Sequence, residues 1–368
     1  MRKWLQRWLR QPIINLANKY SSRPDKERVF AALTQLHENI ISGNEKKGLV
    51  IPFHFPTDKF VILSDQHKGA KNGFDDFADN ENNYLAALEY YYQNGYFYIN
   101  LGDSEELWEN TLPPVKKNNT ASFQKESLFL HQNQFIKIFG NHDLYWDNDP
   151  LAPLELKSIY GQEVNIYEGV ILQTTVDETP FQIYLTHGHQ GDLQSDGNWF
   201  SKWFVSNVWA KIQAYLEINP NTPAYDTQLK TEHNKMMYQW SSDNNIALIT
   251  GHTHQPVFES LTLLERLYQR LSDAKNKNDE ATIIDIESHI HHRFEKGEVL
   301  PDFTKYKPNY FNSGCCCFSD GDITGIEIDN GCIHLIKWEY DEANHSKRLI
   351  LEEAKIKELV DAMKATTG

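Results

Sequence analysis

Short apolar runs that stop at small or polar residues set the pattern of this chain. Phe135-Ile136-Lys137-Ile138-Phe139 ends at Gly140 and is followed by Asn141-His142-Asp143. A run of this composition predicts a buried strand closed by a turn. The arrangement recurs four times. Residues 59–64 lead to Asp65-Gln66-His67, and residues 96–101 to Gly102-Asp103. Residues 181–185 lead to Thr186-His187-Gly188-His189, and residues 246–249 to Thr250-Gly251-His252-Thr253-His254. Between the first runs, Tyr84, Leu85, Leu88 and Tyr91 share one face of a predicted helix that stops at Asn94-Gly95, and a further helix is predicted around 122–130. Strand, helix and strand in alternation predict an α/β fold with right-handed crossovers and parallel pairing. In such sheets the functional crevice lies beyond the carboxyl ends of the strands, where all five polar motifs fall.

The flanking segments divide the chain into three. Residues 1–47 read as an N-terminal helical arm, 48–340 as the main domain, and 341–368 as a C-terminal segment whose helix is expected at 351–363. Residues 1–20 set Trp4, Leu5, Trp8, Leu9, Ile13 and Leu16 against Arg2, Lys3, Arg7 and Arg10. This amphipathic basic pattern has two readings, peripheral contact with an anionic membrane surface or an arm packed on the domain with its cations in water. Beyond a helix start at 22–25, Phe30, Leu33, Leu36 and Ile40 form one apolar stripe. Two insertions interrupt the main domain, at about 191–240 and 258–296. The first carries Trp199, Phe200, Trp203, Phe204, Trp209 and Tyr215, much of the set at helical spacing. It reads either as a cap over the site or as a helix packed by its aromatic face. The second reads as a helical hairpin, with Leu264, Leu267, Leu271 and Ala274 on one arm and Ile283, Ile286, Ile290 and Phe294 on the other. His289, His291 and His292 there read as a polar helix face. The sheet is expected to resume at 310–314 and at Cys315 to Phe318. A hairpin is expected about Asp329-Asn330-Gly331.

Charge and cysteine content narrow the function. The 368 residues hold 36 Lys and Arg against 51 Asp and Glu, a net charge of −15. A negative body is a poor host for duplex nucleic acid, so no general nucleic-acid binding is expected. A phosphate substrate remains compatible, because bound divalent cations invert the charge locally. Cys315, Cys316, Cys317 and Cys332 have neither zinc-ligand spacing nor a disulfide framework, and read as reduced thiols. The successive three are expected to be small strand residues with nothing nearby to depress their pKa. No apolar run approaches a membrane span, and Arg7 and Arg10 interrupt the one region resembling a secretory signal. The expected location is cytoplasmic, at the inner membrane surface if residues 1–20 attach there.

A lone histidine at a strand end is more often a surface or satisfied core residue than a ligand. Five coincidences of ligand type, strand end and small neighbour point to one shared site. Asp65, His67, Asp103, Asn141, His187, His252 and His254 offer carboxylates, imidazoles and an amide oxygen, a set suited to Mn, Fe or Zn. Seven ligands exceed one tetrahedral ion. They suit two divalent ions about 3.5–4 Å apart with a carboxylate between them, able to hold a hydroxide for in-line attack at phosphorus.

In this order, Asp65-x-His67, Gly102-Asp103, Gly140-Asn141-His142-Asp143, His187 and Gly251-His252-x-His254 resemble the signature blocks of the calcineurin-like metallophosphoesterase superfamily. The resemblance implies a β-sandwich flanked by helices, and a first metal held by Asp65, His67, Asp103 and His254. It implies a second held by Asp103, Asn141, His187 and His252, with Asp103 bridging. On the same basis His142 donates to the phosphate or leaving group and Asp143 orients it. Glu106 stands where the superfamily often has Asp, and reads either as a support behind the ligands or as a cap on the following helix. The sequence lacks the Asp-Arg-Gly that Ser/Thr protein phosphatases carry after the second block. Asn312-Ser313-Gly314 is similar to the lipid A pathway pyrophosphatases, which usually carry Arg where this chain has His142. The expected activity is hydrolysis of a phosphate ester or pyrophosphate in a phosphorylated small molecule or lipid-linked substrate, by attack of a metal-bridging hydroxide. The alternatives are a membrane-associated nucleotide-sugar-lipid pyrophosphatase and a catalytically silent metal-binding scaffold of the same fold. The sequence leaves the oligomeric state open.

Overall fold

The computed structural model describes residues 25–72, 75–191, 227–262 and 307–365, together with individual positions between 267 and 287. The basic segment 1–20, the aromatic set from Trp199 to Tyr215, and His289, His291 and His292 lie outside the described residues.

Helix α1 (Lys26–Ile41) begins at Asp25, whose side chain accepts from the Arg28 backbone at 3.0 Å, an N-cap worth about 1 kcal/mol. It buries Val29, Leu33, Leu36 and Ile40, each about 1.5–3 kcal/mol of apolar burial. Strands β1 (Gly48–Pro52) and β2 (Phe60–Leu63) follow, then α2 (Glu81–Gln93) and β3 (Phe97–Leu101). Two helices, α3 (Leu112–Asn118) and α4 (Thr120–His131), precede β4 (Phe135–Ile138). The short α5 (Tyr145–Asn148) and α6 (Ala152–Tyr160) precede β5 (Ile166–Tyr167), β6 (Gly169–Val176) and β7 (Thr179–Thr186). After the first insertion come α7 (Thr227–Asn244), β8 (Ala247–Thr250), β9 (Val257–Phe258) and β10 (Leu261–Thr262). Strands β11 (Tyr310–Asn312), β12 (Ile323–Asp329), β13 (Cys332–Tyr340) and β14 (Ser346–Lys355) and helix α8 (Ile356–Ala365) complete the chain.

Two seven-stranded sheets result, ordered β1-β6-β7-β8-β11-β9-β10 and β14-β13-β12-β2-β3-β4-β5. They face each other across a core that includes Ile62, Ile99 and Ile138 from one sheet and Leu172, Leu185 and Ile249 from the other. On the outer faces, α1 and α7 cover the first sheet through Val29, Leu33 and Trp240, and α2, α4 and α6 cover the second through Tyr84, Phe129 and Leu156. The β-sandwich flanked by helices is therefore present. The predicted parallel pairing holds for β2 with β3, β3 with β4, and β7 with β8. Antiparallel strands extend both sheets. Within the second insertion, Leu267, Leu271 and Ile286 pack together, as a hairpin requires, although Phe258 belongs to β9 rather than to a helix.

Two local expectations are corrected. Residues 315–318 are not a strand. Gly314 turns the chain at φ +76°, the Cys316 backbone donates to the Asp65 carbonyl at 3.1 Å, and the Cys315 backbone donates to Thr324 Oγ1 at 3.2 Å. The segment thus crosses the end of β2. The C-terminal helix starts at Ile356, not 351, because residues 346–355 pair with β13 as an edge strand, with one irregularity at Leu351.

Candidate metal centre

The two sheets bring their strand ends to one rim, and neither completes the site alone. Asp65, His67, Asp103 and Asn141 follow β2, β3 and β4 of one sheet, while His187, His252 and His254 follow β7 and β8 of the other. The chain must turn sharply there to aim these side chains. Asp65, His67, Asp103, His252 and His254 all take left-handed φ values between 49° and 68°. Non-glycine residues adopt that region at a cost of about 1–3 kcal/mol each and persist there only where the surroundings enforce it. Glycine is required where backbones meet: a Cβ on Gly140 would lie 2.2 Å from Asp103 Oδ1, and one on Gly251 2.5 Å from Asp65 Oδ2. Behind the rim, the Asn312 side-chain amide donates to the Gly251 carbonyl at 2.6 Å and fixes the loop that carries both terminal histidines.

The candidate ligand atoms form two lobes. In one, His67 Nε2 and His254 Nε2 face each other at 3.1 Å, and His254 Nε2 is 3.2 Å from Asp65 Oδ1. In the other, Asp103, His187 and His252 present atoms within 4.8 Å of one another, with His187 Nε2 3.1 Å from Asp103 Oδ2. Asp103 Oδ2 also lies 3.8 Å from His67 Nε2 and so reaches towards both lobes.

This donor set fits metal ions. Asn141 Oδ1 and His252 Nε2 are buried without a hydrogen-bond partner among the described residues, and His187 Nε2 faces the Asp103 carboxylate, an arrangement that is costly unless something else satisfies it. His187 Nδ1 is 2.9 Å from the Leu101 carbonyl and therefore donates its hydrogen there, so its Nε2 lone pair points at a carboxylate. A positive charge has to sit between them. Without a metal it is a proton: burial opposes a charged His187, but Asp103 and Asp65 push it up to about 9. Burial likewise opposes a charged His254, and Cys315 and Asp65 push it up to about 9. Burial also disfavours the charged forms of Asp65 and Asp103. Even so, His187 and His254 hold Asp65, and His187 and His142 hold Asp103, well below the usual carboxylate range. His252 goes the other way, kept neutral by burial and by His233 and His187.

His142 sits beside the first lobe, grouped with His67 and Asp103. The carboxylate that orients it is Glu106, not Asp143. Glu106 Oε2 lies 2.6 Å from His142 Nδ1 and 2.9 Å from His67 Nδ1, joining a ligand to its neighbour. Burial raises the Glu106 pKa, but His142 and His67 outweigh it and bring it to about 2. Glu106 also accepts from the Trp108 backbone, within the turn before α3, whose N-cap is Thr111; of the two readings, the support behind the ligand candidates is the one present and the helix cap is not. Asp143 points away from the imidazole because its two oxygens take the backbone hydrogens of Gly140 (2.6 Å) and Ser104 (2.9 Å), clamping the ends of β3 and β4. Burial first, and then Glu105 and Asp103, raise it to about 6 despite Lys137. Trp108, which the sequence did not single out, stacks on His142 with ring centres 4.2 Å apart and planes 23° apart.

The cysteine expectation is also corrected. Cys317 Sγ lies 3.6 Å from His254 Nδ1, and the two group with His67. Burial raises the Cys315 thiol, yet Cys317 and His254 bring it down to about 6. The turn at Gly314, invisible as a local pattern, carries these thiols to the rim.

Directly beneath lies a second, fully buried set of charges. Lys68 Nζ meets Glu126 at 2.5 Å and Glu105 at 3.2 Å, while Lys137 meets Glu105 at 2.9 Å. Trp146 donates to Glu105 at 2.6 Å, and Tyr84 and Tyr160 donate to Glu126 at 2.7 and 2.6 Å.

The sequence model of one family, described as calcineurin-like phosphoesterase, matches residues 58–256, more than half of the chain. This chain belongs to that family. The matched span runs from the start of β2 past His254 and so includes all seven ligand candidates. Family membership makes the chain a phosphoester hydrolase whose chemistry depends on divalent metal. Among curated proteins none matches. Solved structures similar to it include a vacuolar protein sorting 29 from Cryptosporidium parvum, with 13% identity over 82% of this chain and 99% of that one, at a TM-score of 0.34. Another is a Staphylococcus aureus protein assigned as a 5′-nucleotidase and solved with α-ketoglutarate. It has 14% identity over 84% of this chain and 58% of that one, at a TM-score of 0.29. Likeness at this level adds nothing to the assignment. No helix among the described residues is long and apolar enough to cross a membrane.

Proposed function

We propose that this phosphoesterase is dinuclear, and that it hydrolyses a phosphate ester or phosphoanhydride in a phosphorylated small molecule or lipid-linked substrate. The observation that carries the reading is the place of Asp103, with one oxygen 3.1 Å from His187 Nε2 and 3.8 Å from His67 Nε2. One divalent ion would be held by Asp65, His67, Asp103 and His254, and the other by Asp103, Asn141, His187 and His252. When bound, such ions polarise the phosphoryl oxygens and activate water as the nucleophile, and Mn, Fe and Zn all suit these ligands.

The chain's own residues supply the rest. Buried carboxylates with depressed pKa values stay charged at neutral pH, which makes the rim a cation host. Glu106 takes Nδ1 of His142, leaving Nε2 as the atom able to hydrogen-bond the phosphate or give a proton to the departing oxygen. Trp108 covers one face of that imidazole and limits its rotation. A scaffold without turnover is the competing reading. The filled ligand positions and the intact His142–Glu106 pair speak against it.

The test is hydrolysis of bis(p-nitrophenyl) phosphate beside p-nitrophenyl phosphate, by protein stripped with chelator and refilled with Mn²⁺. Turnover restored by metal and abolished by Asp103→Asn supports the proposal, and the preferred ester distinguishes diester from monoester. Failure to bind two metals per chain sinks it. Two bound metals with neither ester cleaved favours the scaffold.

A further inference from the structure

Two strands beyond β2 in the sheet order, the edge pair β13–β14 carries another group of atoms able to bind a metal. Cys332 and His334 are two apart on β13 and share a face, and Glu353 of β14 is the cross-strand partner of His334. One ligand atom from each lies within 4.8 Å of the other two. His334 is 5% exposed, and its Nε2 is 2.8 Å from Asp329 Oδ1. Asp329 is itself held by the Tyr96 hydroxyl at 2.7 Å and the Asn330 amide at 3.2 Å. An imidazole that donates from one nitrogen to an anchored carboxylate presents a bare lone pair on the other, the arrangement that prepares a histidine for metal.

That other nitrogen is the second observation. His334 Nδ1 is buried without a hydrogen bond among the described residues, although Glu353 Oε2 is only 3.4 Å away. Two ligands of one tetrahedral ion, with bonds of about 2.0–2.1 Å, stand about 3.3 Å apart. The spacing is that of two groups sharing a cation. A thiol nucleophile with His334 as its base is the rival reading of the same atoms. Burial and the carboxylates of Glu353 and Asp329 raise the Cys332 thiol, which opposes that role but favours a cation. Lys355, opposite Cys332, pairs with Glu358 at 3.0 Å.

We propose that Cys332 Sγ, His334 Nδ1 and the Glu353 carboxylate form a separate site for one borderline-soft divalent cation of the Zn²⁺ class, with water as fourth ligand. Thiolate with imidazole selects against Mg²⁺ and Ca²⁺. Binding releases the thiol proton and joins β14, the edge strand that leads into α8, to its neighbour β13.

The test is cobalt titration of the full chain after chelator stripping, read as thiolate-to-cobalt charge-transfer absorption in the near ultraviolet. The phosphoesterase ligands proposed above include no thiolate, but Cys317 lies close to them and needs its own control. The absorption is expected in the wild type, in Asp103→Asn and in Cys317→Ser, and is expected to vanish in Cys332→Ser. Glu353 is on the surface, so Glu353→Gln keeps the fold and should weaken the titration. Asp329→Asn should weaken it by about 10–100-fold. Absence of the band in the wild type, its survival in Cys332→Ser, or a need for millimolar cobalt overturns the site.

Discussion

Asp103 and Glu105 are two residues apart and both fully buried, yet they belong to regions built on opposite terms. Around Glu105, the carboxylate oxygens meet Lys68, Lys137 and Trp146 within 3.2 Å, and Glu126 meets Lys68, Tyr84 and Tyr160. Burial opposes the charge on Glu105, but Lys137 and Lys68 outweigh it and bring its pKa to about 2. Around Asp103, Asn141 Oδ1 and His252 Nε2 have no hydrogen-bond partner among the described residues, and His187 Nε2 faces the Asp103 carboxylate. In the first region the desolvation of charge is offset by partners within the chain. In the second, protonated His187 and His254 offset it only while no cation is bound, and Asn141 and His252 still face the gap. Two buried polar clusters side by side are thus told apart by their orphaned atoms, not by their burial or charge.

That contrast can be attacked directly. Asp103→Asn should remove all metal-restored turnover. Because it loses the pair with His187, it should also lower the urea midpoint of the metal-free protein, but by less than the loss of a lysine partner in the inner cluster. A loss of apoprotein stability as large as that of a broken lysine pair would break the comparison. His142→Asn should lower kcat by about 10²–10⁴-fold with metal content unchanged, as loss of a proton donor requires. Metal content would be read by atomic emission. In the inner cluster, Lys137→Met should cost about 3–5 kcal/mol in urea unfolding, because Glu105 is left partly unpaired. Turnover per folded molecule should hardly change. Glu106→Gln lies on the border, touching both His67 and His142, and should cost about 10–100-fold in metal affinity or activity. An effect on stability alone would assign Glu106 to the inner cluster.

The rim was legible in the sequence because each ligand follows a buried strand within a few residues, so a local pattern carries it. The parallel order of β2, β3 and β4 followed from the helices between them. What was missed depends on contacts distant in sequence. Asp143 adjoins His142, but its oxygens are taken by Gly140 and Ser104, and the working neighbour is Glu106, 36 residues away. Lys137 reads as an interruption of an apolar run until Glu105 is seen opposite it. β14 is an edge strand with much of its length exposed, so its charged residues and Leu349-Ile350-Leu351 show no clean alternation and its end reads as helix. Cys315 to Cys317 have the composition of a strand, and only the turn at Gly314 sends them to His254.

Five of the seven candidate ligand residues hold φ values that suit glycine better than aspartate or histidine. Glycine at any of them would relax the backbone by about 1–3 kcal/mol and at the same time delete a ligand. The most durable chain with this architecture is therefore not one that turns over. A designer seeking an inert, hardier scaffold would begin at these five positions, and a screen for thermal resistance alone would drift the same way. Selection for work and selection for durability pull this rim in opposite directions.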